Sequence, residues 1–434
     1  MKIRIPKWLL PMLFSLLGCG DGSSSNDPSE ELVFNDYDWA IQFGTTEPEW
    51  ISGFALGPDD RVYVAGSTGG AFPSQEKSTV QDIFVTAWEP DGTASWVLQW
   101  GLTQMTSSEP RSMVYAHGQL YVLALADTLV GNEPPLAIQK VSTDGTLGEV
   151  VHFPMPVHTS PVYADPANAV QDIAVADDGD IFYAGTVREI GAAAEAAKDL
   201  AWVGRMGPSG ELSWDQLLGA GQTHVFGLAL SAERLAVCGR TNGAFPGTDF
   251  SKVRAYDAFV LLFDLDGNLL WAEEFGAPLS DLPPSETALH VAFAPDGSVY
   301  AGGFLSDGAA FYEGAEGDGW IALIEPDGTL DWVRQFQVGD GQPWAEQLLI
   351  DDNGDVLVGG TFGIGGMESD AFVARFSPEG ELLDARGIGV GSSNEFFAGM
   401  ALDSKGRLVV AGNTDFGLPE LTAFGFKDFF VVRY

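Results

Sequence analysis

The side chains able to do chemistry in this 434-residue chain are unevenly supplied: 61 acidic residues stand against 21 Lys and Arg, five His and two Cys. His117, His152, His158, His224 and His290 show no His-x-x-x-His or similar spacing, so zinc has no support. No Gly-x-Ser-x-Gly elbow and no phosphate-cradling glycine loop is present. Asp351-Asp352-Asn353-Gly354-Asp355 and Asp264-Leu265-Asp266-Gly267 resemble calcium loops but lack the later bidentate Glu, and turn chemistry accounts for both. No cofactor is therefore expected, with a weak calcium site the one alternative. A different set comes from position. Counted back from a tight turn in each of seven similar segments, one column holds Gly53, Arg111, Asp172, Gly227, His290, Gln347 and Gly399. Its four polar members, Arg111, Asp172, His290 and Gln347, are the candidate ligand-binding residues. Arg111, Asp172 and His290 are the candidate catalytic ones, with His290 as general base if its pKa lies near neutral. The alternative is that these groups satisfy one another or bind channel water.

The elements that would position them recur. A strand such as Arg61-Val62-Tyr63-Val64-Ala65-Gly66 has copies at 119–124, 180–185, 234–239, 298–303, 355–360 and 407–412, which makes seven. A later strand begins with Asp (Asp82, Asp257, Asp318, Asp370, Asp428, with Asp199 one place away), followed by β-branched and aromatic residues suited to a sheet. Turns such as Pro90-Asp91-Gly92 and Pro326-Asp327-Gly328 then lead into strands bearing Trp39, Trp96, Trp214, Trp271 and Trp332. Residues 36–434 divided among seven units leave about 57 residues each, the size of a four-stranded propeller blade. The last unit stops after three strands at Tyr434, while 38–44 is a fourth strand with no preceding three. Pairing the two closes the ring and removes the open sheet edges. The expected fold is all-β: a seven-bladed propeller of four-stranded antiparallel blades whose N-terminal strand completes the C-terminal blade.

These units resemble the bacterial SBBP-type β-propeller repeat, whose pattern runs through a Tyr-Val-Ala-Gly strand, a Phe-Pro loop, an Asp-Ala-Phe-Val strand and a Gly-x-x-x-Trp strand. Here it is met by Val62 to Gly66, Phe72-Pro73, Asp82 to Val85 and Gly92 to Trp96. It is met again by Phe245-Pro246, Asp257 to Val260 and Gly267 to Trp271. The resemblance covers nearly all of the chain after its leader and implies fold and export, with no shared reaction. The second unit departs most, with Leu123-Ala124 for Ala-Gly, Pro135 for the Asp and no Trp after Gly145, so its blade should be the least regular.

Residues 1–18 carry Lys2, Arg4 and Lys7 and then an apolar run too short to span a bilayer, the pattern of a signal peptide. The run ends at Leu16-Leu17-Gly18-Cys19, which looks like a lipobox with Cys19 as the lipidated first mature residue, and residues 19–35 read as a flexible tether. A lipid-anchored location in the cell envelope follows as an expectation. By analogy with other lipoproteins, Gly20 after the cysteine favours the outer membrane, on its periplasmic or surface side. With Cys19 acylated, Cys238 has no disulfide partner and reads as a small buried hydrophobe.

The formal net charge is −40, and loss of the leader removes three more positive charges, so nucleic acid is excluded as a partner. Turns on one face of the disc are tight and those on the other are long, so partners are expected on the long-loop face. There Trp50, His224 and Trp344 either rim the channel mouth or serve as packing. The repeated Asp, facing a Thr after the second strand (Thr68, Thr241, Thr361, Thr414), should bond that Thr or the loop amides, an architectural role. The leading expectation is a non-enzymatic envelope lipoprotein that binds a protein or glycan partner. The alternatives are a propeller hydrolase or lyase with a polar site at the channel mouth, and a structural scaffold of an envelope assembly.

Overall fold

The computed structural model describes residues 37–102, 107–126, 136–153, 170–189, 198–248, 256–276, 285–305, 310–311, 318–339, 341–364, 368–389, 393–418 and 421–434. The signal peptide, Cys19 and the tether lie outside these residues, as do parts of several long loops.

Within the described residues, 28 strands form seven four-stranded antiparallel sheets. Six are consecutive, as in blade 1: Glu49–Leu56, Val62–Thr68, Asp82–Trp88 and Ala94–Trp100. The seventh is composite. Trp39–Phe43 pairs with Lys427–Arg433, in register from Trp39 opposite Arg433 to Phe43 opposite Phe429, and so completes the blade begun by Glu395–Leu402. The expected ring closure is what the structure shows.

Burial explains the strand composition. The two middle strands of blade 1 are buried at every residue, because neighbouring blades cover both faces of the sheet. Such strands need continuous apolar, β-branched or aromatic runs rather than alternation. The core therefore lies between blades. At the ring closure Phe43, Phe72, Phe84 and Phe429 interlock, with ring centroids 4.9–5.9 Å apart.

The recurrent Trp has a definite task. In four of the five the indole Nε1 donates to a carbonyl in the third-to-fourth turn of the next blade: Trp39 to Pro90 (3.1 Å), Trp96 to Thr143 (2.9 Å), Trp214 to Leu265 (3.0 Å) and Trp271 to Pro326 (3.1 Å). The ring lies on the glycine of that turn, at Gly92, Gly145, Gly267 and Gly328, and Trp332 does the same at Gly380. All five glycines have positive φ, so any side chain there would strain the turn as well as meet the indole. Blade 6 lacks the Trp for a plain reason: blade 7 has no third-to-fourth turn, its last strand being supplied by the N-terminus. Blade 2 lacks it too, and there Gly210 of blade 3 lies against the His152 carbonyl instead.

The predicted Asp–Thr pairs stand in register at Thr68–Asp82, Thr241–Asp257 and Thr414–Asp428, but their side chains part company. Two of the Thr hydroxyls turn to a glutamate on the innermost strand, Thr68 to Glu49 and Thr414 to Glu395, both 2.7 Å, and Thr241 Oγ1 meets Thr223 Oγ1 at 2.9 Å. The Asp accepts from loop amides and a fourth-strand glutamine. Asp82 holds Ser78 N and Thr79 N (both 2.7 Å) and Gln99 Nε2 (2.9 Å); Asp428 holds Phe424 N and Gln42 Nε2 (both 2.7 Å). This ties the long loop to the sheet from two strands. Asp351 similarly closes its own turn, accepting from Asn353 N and Asp355 N (2.8 and 3.0 Å), and Arg375 pairs with Asp355 at 2.7 Å.

Candidate functional site

The innermost strands are Glu49–Leu56, Ser108–Ala116, Val170–Val175, Thr223–Leu230, Glu286–Phe293, Gln342–Ile350 and Glu395–Leu402. Six neighbour the next one around the axis, and the seventh, Glu395–Leu402, neighbours the first. Every one carries a register shift near its long-loop end. The extra residue of each bulge is Ser52, Arg111, Gln171, Phe226, Leu289, Glu346 or Ala398. A bulge re-aims one side chain and sharpens the local bend. It also explains the glycine near the long-loop end of most second strands. A Cβ on Gly239, Gly303 or Gly360 would collide with the carbonyl of His224, Thr287 or Trp344, pressed inward by the bulge.

The column read from sequence lies one residue further on, and the structure differs from the expectation at one member. Ser112, not Arg111, stands beside Gly53, Asp172, Gly227, His290, Gln347 and Gly399, and Arg111 is the bulged residue. The cause is the turn. Blade 2 joins its first two strands through only His117-Gly118, both with positive φ, where blade 1 uses residues 57–61, so counting back from the turn is one place out.

The polar members of this column reach to the next blade. Asp172 accepts from Leu228 N (3.2 Å) and from Ser112 Oγ (2.8 Å). His290 Nδ1 accepts from Leu348 N (3.3 Å). Gln347 brackets Met400, its Oε1 taking the amide N–H at 2.7 Å and its Nε2 meeting the carbonyl at 3.2 Å. Glycine serves where backbones approach more closely: a Cβ at Gly53 would lie 2.8 Å from Met113 Cβ, and one at Gly399 2.6 Å from Phe54 Cβ. Burial pushes the Asp172 carboxyl up to about 6, against the pull of its hydrogen bonds, and pushes His290 down to about 4. His290 is thus neutral at pH 7, with its proton on Nε2 while Nδ1 holds the amide, which leaves it a weak base. Arg111 has a buried Nε without a hydrogen-bond partner among the described residues.

The bulged residues make the site that sequence reasoning missed. Phe226, Leu289 and Glu346, from three successive blades, line a cleft of about 550 Å³ at the long-loop mouth of the channel, together with Phe304, Trp344 and Phe396. Glu346 Oε1 accepts from Thr361 N at 3.0 Å. Burial raises its carboxyl to about 7, although the bonds from Thr361 work in the other direction. Thr361 itself is fixed by accepting Phe397 N (3.1 Å), which ties Glu346 to blade 7. Trp344 is 49% exposed and lies beside Phe304, with centroids 5.1 Å apart and planes at 30°. Trp50, 48% exposed, is covered by the Lys427 ammonium at 3.6 Å, and that Lys pairs with Asp415 at 3.0 Å. His224 stands near Asp199 and Tyr256 and is pushed below its ordinary range, chiefly by burial. Of the three aromatic candidates Trp344 lines the cleft. The signal available in the sequence was asymmetry, since Glu346 is the one acid in its column. Among the described residues no group of three or more His, Cys, Asp or Glu is placed to share a metal ion.

Neither a protein-family model nor a curated protein matches this chain. Solved structures do. A periplasmic gluconolactonase of Pseudomonas aeruginosa matches with 16% identity over 78% of this chain and 85% of its own, at a TM-score of 0.45. A gluconolactonase of Xanthomonas campestris has 17% identity over 90% of this chain and 88% of its own, TM-score 0.37. The β-propeller domain of the Trilobed protease from Pyrococcus furiosus has 11% identity over 88% and 95%, TM-score 0.46. At these identities the likeness is one of fold. Two of the matched propellers are described as gluconolactonases, which runs against the leading expectation of a non-enzymatic lipoprotein scaffold.

Proposed function

We propose that the long-loop mouth is the active site of a hydrolase or lyase in which Glu346 moves the proton. The observation that carries this reading is a lone carboxylate, raised to about 7, lining an aromatic cleft at a position where no other blade places an acid. Repetition builds architecture, whereas an enzyme needs one blade to differ. A carboxyl with a pKa near the working pH can both take up and release a proton at useful rates, and burial against apolar walls is what produces that pKa. Arg111, the one base in the ring of bulged residues, lies outside the lining of this cleft and has no part in the reading. Asp172, His290 and Gln347 would hold the spacing of the blades beneath the reacting groups. Kinship of the units with the SBBP-type repeat, export through residues 1–18 and acylation at Cys19 belong to the same proposal.

The test is turnover of a panel of esters, lactones and glycosides by the full chain and by Glu346→Gln. Activity on at least one class is expected, with kcat/KM rising through pH 7 as the base form appears. The substitution should lower kcat/KM by about 10²–10⁴-fold and leave Tm within a few degrees. A variant as active as the parent, or a parent inert towards every class, would discard the reading.

A further inference from the structure

Arg240 stands apart from the other cations of a chain in which 61 acids face 21 Lys and Arg. With that excess an arginine readily finds a carboxylate, as Arg205, Arg375 and Arg407 do. Among the described residues Arg240 makes no hydrogen bond or ion pair. Its guanidinium lies instead over two rings, with Cζ 4.7 Å from the centroid of Tyr256 and 5.7 Å from that of Phe226. Its Nε is sealed from solvent without a partner, while the residue as a whole is half-buried, so Nη1 and Nη2 are the donors left open. Ring contacts satisfy the face of a guanidinium and leave its N–H edge unbonded.

The neighbours define what could meet that edge. His224, on the innermost strand of blade 4, stands directly opposite Arg240 on the second strand, and cross-strand partners share one face of a sheet. Its ring centroid is 6.0 Å from that of Tyr256. The acid at this seam is already engaged: Arg188 takes both oxygens of Asp199, at 2.9 and 3.2 Å. His224 Nε2 is left 3.9 Å from Asp199 Oδ2, too far for a hydrogen bond. Burial, Arg240 and Arg188 hold the His224 imidazole below its ordinary range against the pull of Asp199, so at pH 7 it is a neutral N–H donor. One formal charge, an open guanidinium edge and a neighbouring imidazole suit a planar monoanion with two oxygens, which a guanidinium meets through two parallel bonds. The net charge of −40 disfavours a dianion more than a monoanion.

We infer that the seam of blades 3 and 4 is a carboxylate-binding site, in which Nη1 and Nη2 of Arg240 hold the two oxygens and His224 donates beside them. The Phe226 ring lies against this guanidinium and also lines the Glu346 cleft, so a molecule anchored by its carboxylate extends towards that cleft. The site stands on its own geometry, whether or not Glu346 moves a proton.

The test is calorimetric titration of the full chain, at pH 7 and low ionic strength, with butyrate, with butyramide and with inorganic phosphate. Butyramide has nearly the shape of butyrate and no charge. Butyrate is expected to bind at least about tenfold more tightly than either of the others. Arg240→Gln should weaken butyrate by about tenfold or more. Arg234→Gln, an equal loss of charge at the tight-turn end, should change it less than about twofold. In the parent chain butyrate should also raise the pH at which the His224 ring titrates by NMR, because a bound anion favours the imidazolium. That measurement needs no variant and decides the matter even if Arg240→Gln does not fold. Equal binding of butyrate and butyramide overturns the site, as does a folded Arg240→Gln chain that binds like the parent or a His224 titration that butyrate leaves in place. Phosphate binding tighter than butyrate overturns the carboxylate class. Binding is read without turnover, so none of these outcomes bears on the role of Glu346.

Discussion

At the turn end of the channel the inner strands enclose about 680 Å³ among Leu56, Tyr115, Met400 and Leu402, and the acids there belong to links within and between blades. Asp60 accepts both the amide and the hydroxyl of Ser404, each at 2.7 Å, joining blade 1 to blade 7. Asp403 is buried, which would raise its carboxyl, but bonds from Arg407 and from backbone amides hold it below its usual range. At the loop end a smaller cleft holds an acid displaced the other way, to about 7. The same seven strands build both mouths. The difference arises at the bulge, which frees one residue per blade from the repeat's packing rules and lets each blade place a different side chain at one rim. The turn end has the larger volume, and its Asp403 is held low by its bonds, whereas Glu346 in the smaller cleft is raised by burial against aromatic walls.

The largest effect should come from removing what both mouths share. A chain lacking residues 37–44 loses the strand that pairs with Lys427–Arg433, and its cooperative thermal transition should disappear or fall by well over about 10 °C. Unchanged melting by circular dichroism would mean that the ring is held some other way. Trp271→Ala, which removes an indole from the turn at Gly328, should cost about 2–4 kcal/mol in denaturant unfolding and leave kcat at the loop mouth unaltered. A loss of turnover without loss of stability there would dissolve the division between the two ends.

Proton linkage sharpens the same contrast. Glu346 titrates higher in the folded chain than in the unfolded one, so the native state binds the extra proton. Its contribution to stability is fully present below about 4.5 and is lost as pH rises to about 7. Relative to the parent, Glu346→Gln should therefore gain on the order of 1–3 kcal/mol between pH 5 and pH 8, read from urea midpoints at the two pH values. A constant difference between parent and variant would remove the buried-acid account. The smallest effect is assigned to Gln347→Ala, which gives up the bracket on Met400 and should cost about 1–2 kcal/mol. A loss of turnover that exceeds the loss of stability would instead promote Gln347 from frame to site.

Much of the architecture was legible before any coordinates. Seven copies of a Val-Tyr-Val-Ala-Gly type strand, and a fourth strand orphaned at the N-terminus, imply closure because unpaired edges are costly. The Asp-Gly turns and the Trp residues were visible as repeats, yet their relation was not. Each indole caps the turn of the following blade, a contact between residues about 50 positions apart. The site was legible only in part. Asp172, His290 and Gln347 were found in the correct column because residues near a tight turn keep its count. Arg111 was misplaced by one because blade 2 shortens that turn.

Glu346 shows where the boundary lies. Local sequence determines strand, turn and repeat, since these depend on backbone geometry, side-chain shape and short-range hydrogen bonds. A bulge inserts one residue without any mark in composition, and whether the displaced carboxyl meets water or aromatic walls depends on Phe226, Leu289 and Phe396 from other blades. Its pKa is a property of that enclosure. The sequence by itself determined a closed seven-bladed ring with a tight face and a long-looped face; only the packing of blades 4 to 7 around one rim set Glu346 against aromatic walls, where burial raises it to about 7.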